Sequence, residues 1–563
     1  MGSNSAAAGR SAGGWRLSSA LARVSPVFML LPATVLTFLC TGYLPITDNN
    51  IYHLPILLGT YDLPQFAGDP FIQSLRHFSS GFWIVFAGIG RVVEPKAFLA
   101  GWLVLTHLAF LAAGLHLARS LGCERRATLN VFVLLLAVAA PVLGTTVGGG
   151  GILLPYFTHS ELANASLLLG FSYALRGRYG HAAVATALTF FLNAFMAIWM
   201  ILPLAFLAVY QCAAGIVSPR RLIAEGLAGS AAGAVFLLPP LANFLSNPQP
   251  AAPVVFSYGA FLREFFPPHF FIETNSRLEL ASLAGAIVTA GFVASGLAGR
   301  SRPFLMLVAG ACALLLVGIV VPFVTEAPLV LNMHLIRGAV MIVMLAAIGL
   351  VHQAARWLVE PDAELQRTLG LMLAGTLFAG GMTFLLAVPV LALHALLVRQ
   401  GKGGDGAGIL RRRIGYAFLA AMLLTVPVRL SMTFKGTGEL GAISDQWERI
   451  GLWSRQHTPA QAVFLILPDT ERQQAALGFQ YASQRSQRFS EKYGAAVMWS
   501  PSYYPLWKRY GVPLWSVVTP AQKMSYAQDA RADYLGTECD PSLGSPAHRD
   551  GDMCVYAIPA TGK

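Results

Sequence analysis

Charge is what this sequence has least of. Only 12% of its 563 residues are Asp, Glu, Lys or Arg, whereas 55% are hydrophobic, and the mean hydropathy is +0.59. Soluble globular chains carry roughly twice that share of charge, so the scarcity excludes an ordinary soluble domain and predicts a polytopic membrane protein. Acidic residues are scarcer than basic ones, 27 against 39, for a formal charge of +12. The basic residues fall in short clusters between apolar runs rather than in a stripe, which is the pattern of topology signals and not of a nucleic-acid partner. There is no phosphate-cradling P-loop, no dinucleotide fingerprint, no metal-spaced Cys/His set and no nucleophile elbow. A primary pump and an enzyme of cytosolic nucleotides are thereby disfavoured.

What is present is a series of apolar runs punctuated by arginine. Residues 1–24 hold Arg10, Arg16 and Arg23 and no acid, which predicts a disordered cytoplasmic tail. The run 25–45 lacks a small-residue cleavage site and reads as a signal anchor. Further spans are expected at 98–121, 127–147, 162–175, 222–244, 281–298, 303–323, 338–353 and 414–431. The runs 181–211 and 368–398 each begin and end among cytoplasmic arginines, so each is expected to be two short spans, turning near Asn193 and near Gly380-Gly381. That makes about thirteen transmembrane helices over 25–434, with the N-terminus inside and the C-terminus outside. Residues 46–97 form a first outer loop with one or two interfacial helices on the outer leaflet, because 82–90 is too short to span. The remainder, 435–563, is more polar and reads as a soluble α/β domain with strands at 462–467, 532–535 and 555–558. It contains Cys539 and Cys554 and no other cysteine. They are either a disulfide, which requires an oxidising compartment, or two free thiols.

Polar groups gather at the outer ends of spans. Asp48 directly follows the first span, where charge is costly and a functional role is the default expectation. Asn49, His53 and Asp69 share its loop; the second loop supplies His159 and Glu161, the third His269 and Glu273, and a later one Glu326, His334 and Arg337. Transfer from a lipid-linked donor at such a surface requires a carboxylate to deprotonate or orient the acceptor, for which Asp48 and Glu161 are candidates. It also requires cations on the phosphate, for which Arg337 beside His334 is the candidate. Beside this stands a plainer reading, in which Glu161 caps a helix at Ser160, Arg337 snorkels and the other groups are solvated. The run Gly148-Gly149-Gly150-Gly151 is read as a flexible loop rather than a phosphate cradle.

This arrangement resembles the GT-C glycosyltransferase superfamily, which includes oligosaccharyltransferases, protein mannosyltransferases and the aminoarabinose transferases of lipid A. Asp48-Asn49-Asn50-Ile51-Tyr52-His53-Leu54-Pro55, Asp69-Pro70-Phe71 and the tail residues Trp453-Ser454-Arg455-Gln456-His457 with Ser483-Gln484-Arg485-Ser486 and Lys492 are similar to bacterial proteins of that type. The resemblance implies a GT-C-like transmembrane fold in the bacterial inner membrane with a periplasmic C-terminal domain. It also implies a polyprenyl-phosphate-linked sugar as donor, membrane lipids as surroundings and a glycan, lipid or protein acceptor, with Asp48 at the acceptor. Where those relatives pair two acids this chain has Asp48-Asn49, and its second loop has no Asp-x-Asp, so a divalent metal such as Mg or Mn stays open. The alternative is a non-catalytic transporter or flippase, or an assembly partner in polysaccharide export. Such a transporter is expected to carry ionisable groups deep within its spans or an internal repeat.

Overall fold

The computed structural model describes residues 16–143, 145–247, 255–297, 299–400, 408–469 and 475–559. The chain is an α-helical multi-pass membrane protein. Among the described residues, eight helices are long and apolar enough to cross a membrane: those within 95–120, 194–213, 219–245, 277–295, 301–324, 328–359, 380–399 and 413–457. Shorter apolar helices, Pro26–Thr41, Arg126–Val142 and Tyr179–Leu192, and the more polar His159–Leu175 pack among them. Ala339–Val359 is mostly apolar, is buried on nearly every side and lies at the centre, whereas Pro219–Leu245 leaves most of its surface outward. A helix hydrophobic all round belongs in a core, and one with an outward apolar face belongs against lipid.

Two expected turns have visible causes. Asn193 ends Tyr179–Leu192 in extended geometry, and its side chain accepts from the backbone N–H groups of Phe195 and Met196 to start Ala194–Ala213. An asparagine at an N-cap satisfies donors that the helix leaves open. The short turn Gly380–Met382 separates Glu364–Thr376 from Thr383–Arg399.

Other expectations are corrected. Residues 1–15 of the predicted tail lie outside the described residues, as do Arg10 and Lys402, but Arg16–Arg23 is helical. The Asn130 amide donates to the carbonyls of Leu21 and Val24 at 2.7 and 3.0 Å and ties that helix to the bundle. The first loop forms Asn50–Leu58, Pro70–Ser74 and Gly81–Val85, but these do not lie bare on a leaflet. Ile51, Leu54, Leu57, Phe71, Phe82 and Trp83 are buried in the protein core, partly beneath the C-terminal segment, whose Tyr493 stacks on Phe71 at 3.5 Å. The boundary drawn at 434 falls inside one helix, Thr425–His457, which carries the chain without a break into the C-terminal part.

That part holds a five-stranded sheet. In spatial order its strands are Ser486–Gln487, Val463–Ile466, Tyr534–Glu538, Met553–Ala557 and His548–Asp550; the first two neighbour pairs are parallel and the others antiparallel. A disulfide joins Cys554, in the strand Met553–Ala557, to Cys539, which directly follows the neighbouring strand Tyr534–Glu538. Leu477, Tyr493, Ala495, Ala496, Val497, Tyr503 and Trp507 belong to the same contiguous core as the bundle helices. The C-terminal part is therefore packed into the bundle's end rather than tethered to it.

Candidate functional site

The site is assembled from four separate stretches, and Asn50 begins it. Its side-chain oxygen accepts from the Thr47 N–H at 3.0 Å and its amide donates to the Phe157 carbonyl at 3.3 Å, while the Leu44 N–H donates to the Pro155 carbonyl at 2.7 Å. These bonds hold residues 44–50 against 155–157 and bring Tyr156 to Asp48, whose carboxylate accepts from the Tyr156 hydroxyl. Asp48 has φ of +50° and His334 has φ of +49°, two of only four non-glycine residues with positive φ among those described. Aspartate and histidine tolerate that region better than most residues, and such strain gathers at functional positions.

The second partner of Asp48 comes from the far end of the chain. The Lys492 ammonium forms an ion pair with the Asp48 carboxylate and also reaches the Asn49 side-chain oxygen at 3.5 Å. Lys492 is itself held by its backbone carbonyl, which accepts from the Tyr52 hydroxyl at 2.7 Å. Asp48 and Lys492 both remain about one-fifth exposed, 22% and 21% at the side chain, so the pair is reachable from outside.

Tyr156 reports what surrounds it. Its phenol is raised well above the ordinary range, first by burial, then by the negative charge of Asp48 and its hydrogen bond, then by Glu161, with Arg337 acting in the opposite sense. Asp48, Glu161 and Arg337 thus act on one phenol. Glu161 is buried in the first turn of His159–Leu175. Its Oε2 has no hydrogen-bond partner among the described residues. The cap of that helix is Thr158, not Glu161. Arg337 is half-buried, and its Nε likewise has no hydrogen-bond partner among the described residues.

The glycine run explains how Arg337 is admitted. Instead of a flexible loop it makes a tight hairpin, Thr145–Thr146 paired with Gly150–Gly151. Gly148 and Gly149 take φ of +83° and +69°, and the Gly148 N–H donates to the Asn275 side chain at 2.8 Å. A β-carbon on Gly148 would lie 2.8 Å from the Arg337 Cα, and one on Gly149 would lie 2.8 Å from the ring of His269. Both the conformation and the close approach require glycine. His269 is half-buried, and its imidazole is held well below its usual range, first by desolvation and then by Arg337, His334 and Lys492. His334 is buried against Phe270, with ring centroids 4.6 Å apart.

The remaining candidates stand apart from the charged group. His53 stacks on Trp83 at 4.2 Å, and the Trp83 indole donates to the His159 Nδ1 at 2.9 Å. His53 and His159 are therefore held within an aromatic cluster, and burial depresses the His53 imidazole so that it stays neutral. Asp69 caps Pro70–Ser74 by accepting from the Ile72 N–H at 3.0 Å, and its other oxygen accepts from the Ser486 hydroxyl at 2.5 Å. Both of its oxygens are occupied by scaffold contacts. Glu273 is half-exposed and pairs with Arg263 at 3.2 Å.

Tyr156 carries no distinguishing signal in sequence, and Lys492 stands out there only as part of the tail pattern that carries the resemblance, not as a partner of Asp48. Their roles arise from contacts across the chain. No three His, Cys, Asp or Glu side chains among the described residues come together as a metal site. Both Asp48 oxygens are engaged, one by Tyr156 and one by Lys492.

No family model and no curated protein sequence matches the chain. Among solved structures, the fold is similar to ArnT from Cupriavidus metallidurans bound to undecaprenyl phosphate, at 14% identity and a TM-score of 0.44, covering 95% of this chain and 98% of that one. The apo form of the same protein gives 14% identity and a TM-score of 0.40 over 95% and 98% of the two chains. The apo oligosaccharyltransferase of Archaeoglobus fulgidus is similar at 12% identity and a TM-score of 0.42, over 91% of this chain and 69% of that one.

Proposed function

We propose that this protein is a GT-C-type membrane glycosyltransferase that moves a sugar from a polyprenyl-phosphate donor to an envelope glycan, lipid or protein. In this reading the site faces the outside of the bacterial inner membrane, with the N-terminus cytoplasmic and residues 435–563 periplasmic. One observation carries it: the carboxylate of Asp48 and the incompletely bonded guanidinium of Arg337 both act on Tyr156, at a partly open position at the end of the apolar bundle.

The chemistry is a displacement. Asp48 takes the proton of an acceptor hydroxyl as that oxygen bonds to the anomeric carbon. The bond from that carbon to the donor phosphate breaks, and polyprenyl phosphate departs with the electron pair. Arg337 neutralises the departing phosphate through its planar fork, and His334 lines that side. Glu161, buried with one oxygen unpartnered, is a second acceptor-side carboxylate. Positioned acid–base groups contribute about 10²–10⁴-fold. Asp48→Asn in full-length protein, assayed for sugar transfer from polyprenyl-phosphate donors, should therefore lose activity on that scale at normal expression. Unchanged transfer would overturn the reading.

A further inference from the structure

Resting on that reading, we propose that Lys492 is a second cation for the donor phosphate, and that its ion pair with Asp48 is a resting contact which an incoming phosphate displaces.

The observations converge on the position of one ammonium. Lys492 occupies one oxygen of the carboxylate that must accept a proton, so an acceptor hydroxyl cannot reach that oxygen while the pair holds. Its charge also acts on His269, as does that of Arg337, so it lies within electrostatic reach of both halves of the site. A lysine suits an exchange between two oxyanions because its charge is compact and rides on a flexible four-carbon stem, whereas an arginine fork would be fixed by geometry. The pair is only partly buried, so a phosphate can approach it without unfolding anything.

The backbone beneath that stem is anchored from several sides. Besides the Tyr52 bond, Tyr493 stacks on Phe71, and Ser486 is bonded to Asp69. The Met498 carbonyl accepts from Asn332 at 3.0 Å, and the Trp499 carbonyl accepts from Asn247 at 2.7 Å. Three loops of the bundle therefore place Lys492, and only its side chain is left to move. Glu491 beside it is neutralised more readily than an ordinary glutamate, chiefly by burial, with Lys492 opposing and Asp48 reinforcing that shift. A phosphate arriving here meets two cations, Arg337 and Lys492. As Lys492 turns to the phosphate, Asp48 is released to take the acceptor proton, which couples donor binding to base activation.

The test uses full-length protein in lipid nanodiscs, with polyprenyl phosphate and the uncharged polyprenol as probes. Lys492→Met should weaken polyprenyl-phosphate binding roughly ten- to a hundredfold, the worth of one hydrogen bond to a charged group, and leave polyprenol binding unchanged. Lys492→Arg should restore most of the phosphate affinity. Asp48→Asn should bind polyprenyl phosphate more tightly than the parent, because Lys492 is freed, although it transfers sugar about 10²–10⁴-fold more slowly. Equal losses for both probes in Lys492→Met would make Lys492 a structural latch and overturn the inference. So would unaltered phosphate binding in that variant. If either occurs while Asp48→Asn still slows transfer, only this inference fails; if Asp48→Asn transfers normally, the glycosyltransferase reading fails with it.

Discussion

Asp48 and Asp69 belong to the same first loop, and the C-terminal segment holds both, yet they are opposites. Asp69 is 8% exposed and accepts only from neutral donors, the Ile72 N–H and the Ser486 hydroxyl. Asp48 is in a strained backbone conformation, partly open, and held by an ammonium and a phenol. A carboxylate saturated by fixed neutral donors is scaffold. One whose main partner is a partly exposed lysine can exchange that partner for a ligand. The cations repeat the contrast: Lys523, 7% exposed, is bonded to Thr537 at 2.9 Å and Glu538 at 3.0 Å, whereas the Nε of Arg337 has no partner among the described residues.

The largest expected effect breaks this contrast directly. Asp48→Asn should lower transfer by about 10²–10⁴-fold, while Asp69→Asn, which keeps a capping oxygen, should transfer at nearly the parental rate; rate assays on both variants compare them. Similar losses in the two would erase the distinction.

Next in size, Arg337→Gln should raise the KM for the polyprenyl-phosphate donor roughly ten- to a hundredfold, as expected for loss of a charge-assisted contact. Lys523→Gln should leave that KM unchanged, and donor titrations of both variants decide the point. Asp69→Ala should then cost about 1 kcal/mol of stability through loss of its cap, read as a lower Tm with transfer per folded molecule preserved.

The smallest effect is on pH. Burial raises the Asp69 carboxyl above its ordinary 3.8, although Ser486 and the Ile72 N–H oppose the shift. The folded state therefore binds this proton more tightly than the unfolded state does. The resulting stability is fully present below the unfolded value and is lost as pH rises through the folded one. Melting curves from pH 3.5 to 7 should show a shallower loss of Tm with rising pH for Asp69→Asn than for the parent.

Much of the bundle is legible in the sequence alone. The apolar runs, the break at Asn193, the turn at Gly380 and the three main C-terminal strands depend on hydropathy, on side-chain capping and on short-range periodicity, all of which act over a few residues. The sequence also marked Asp48, Glu161, His334 and Arg337 by their place at the ends of apolar runs. It misjudged the glycine hairpin, because a run of glycines does not show that Arg337 and His269 press against it. The junction at 434 was misplaced for a related reason: falling hydropathy marks where a helix leaves the apolar layer, not where the helix stops.

Local chemistry thus determined by itself that this chain is a helical membrane protein with an acid poised at the end of its first apolar run. Only the tertiary structure decided that the acid is held by Tyr156, 108 positions away, and by Lys492 from a segment bonded to Tyr52 across 440 positions. The reason is physical. Burial and electrostatic pairing act through space, so the same Asp at the same sequence position is scaffold or reactive group according to which distant side chain folding brings to it.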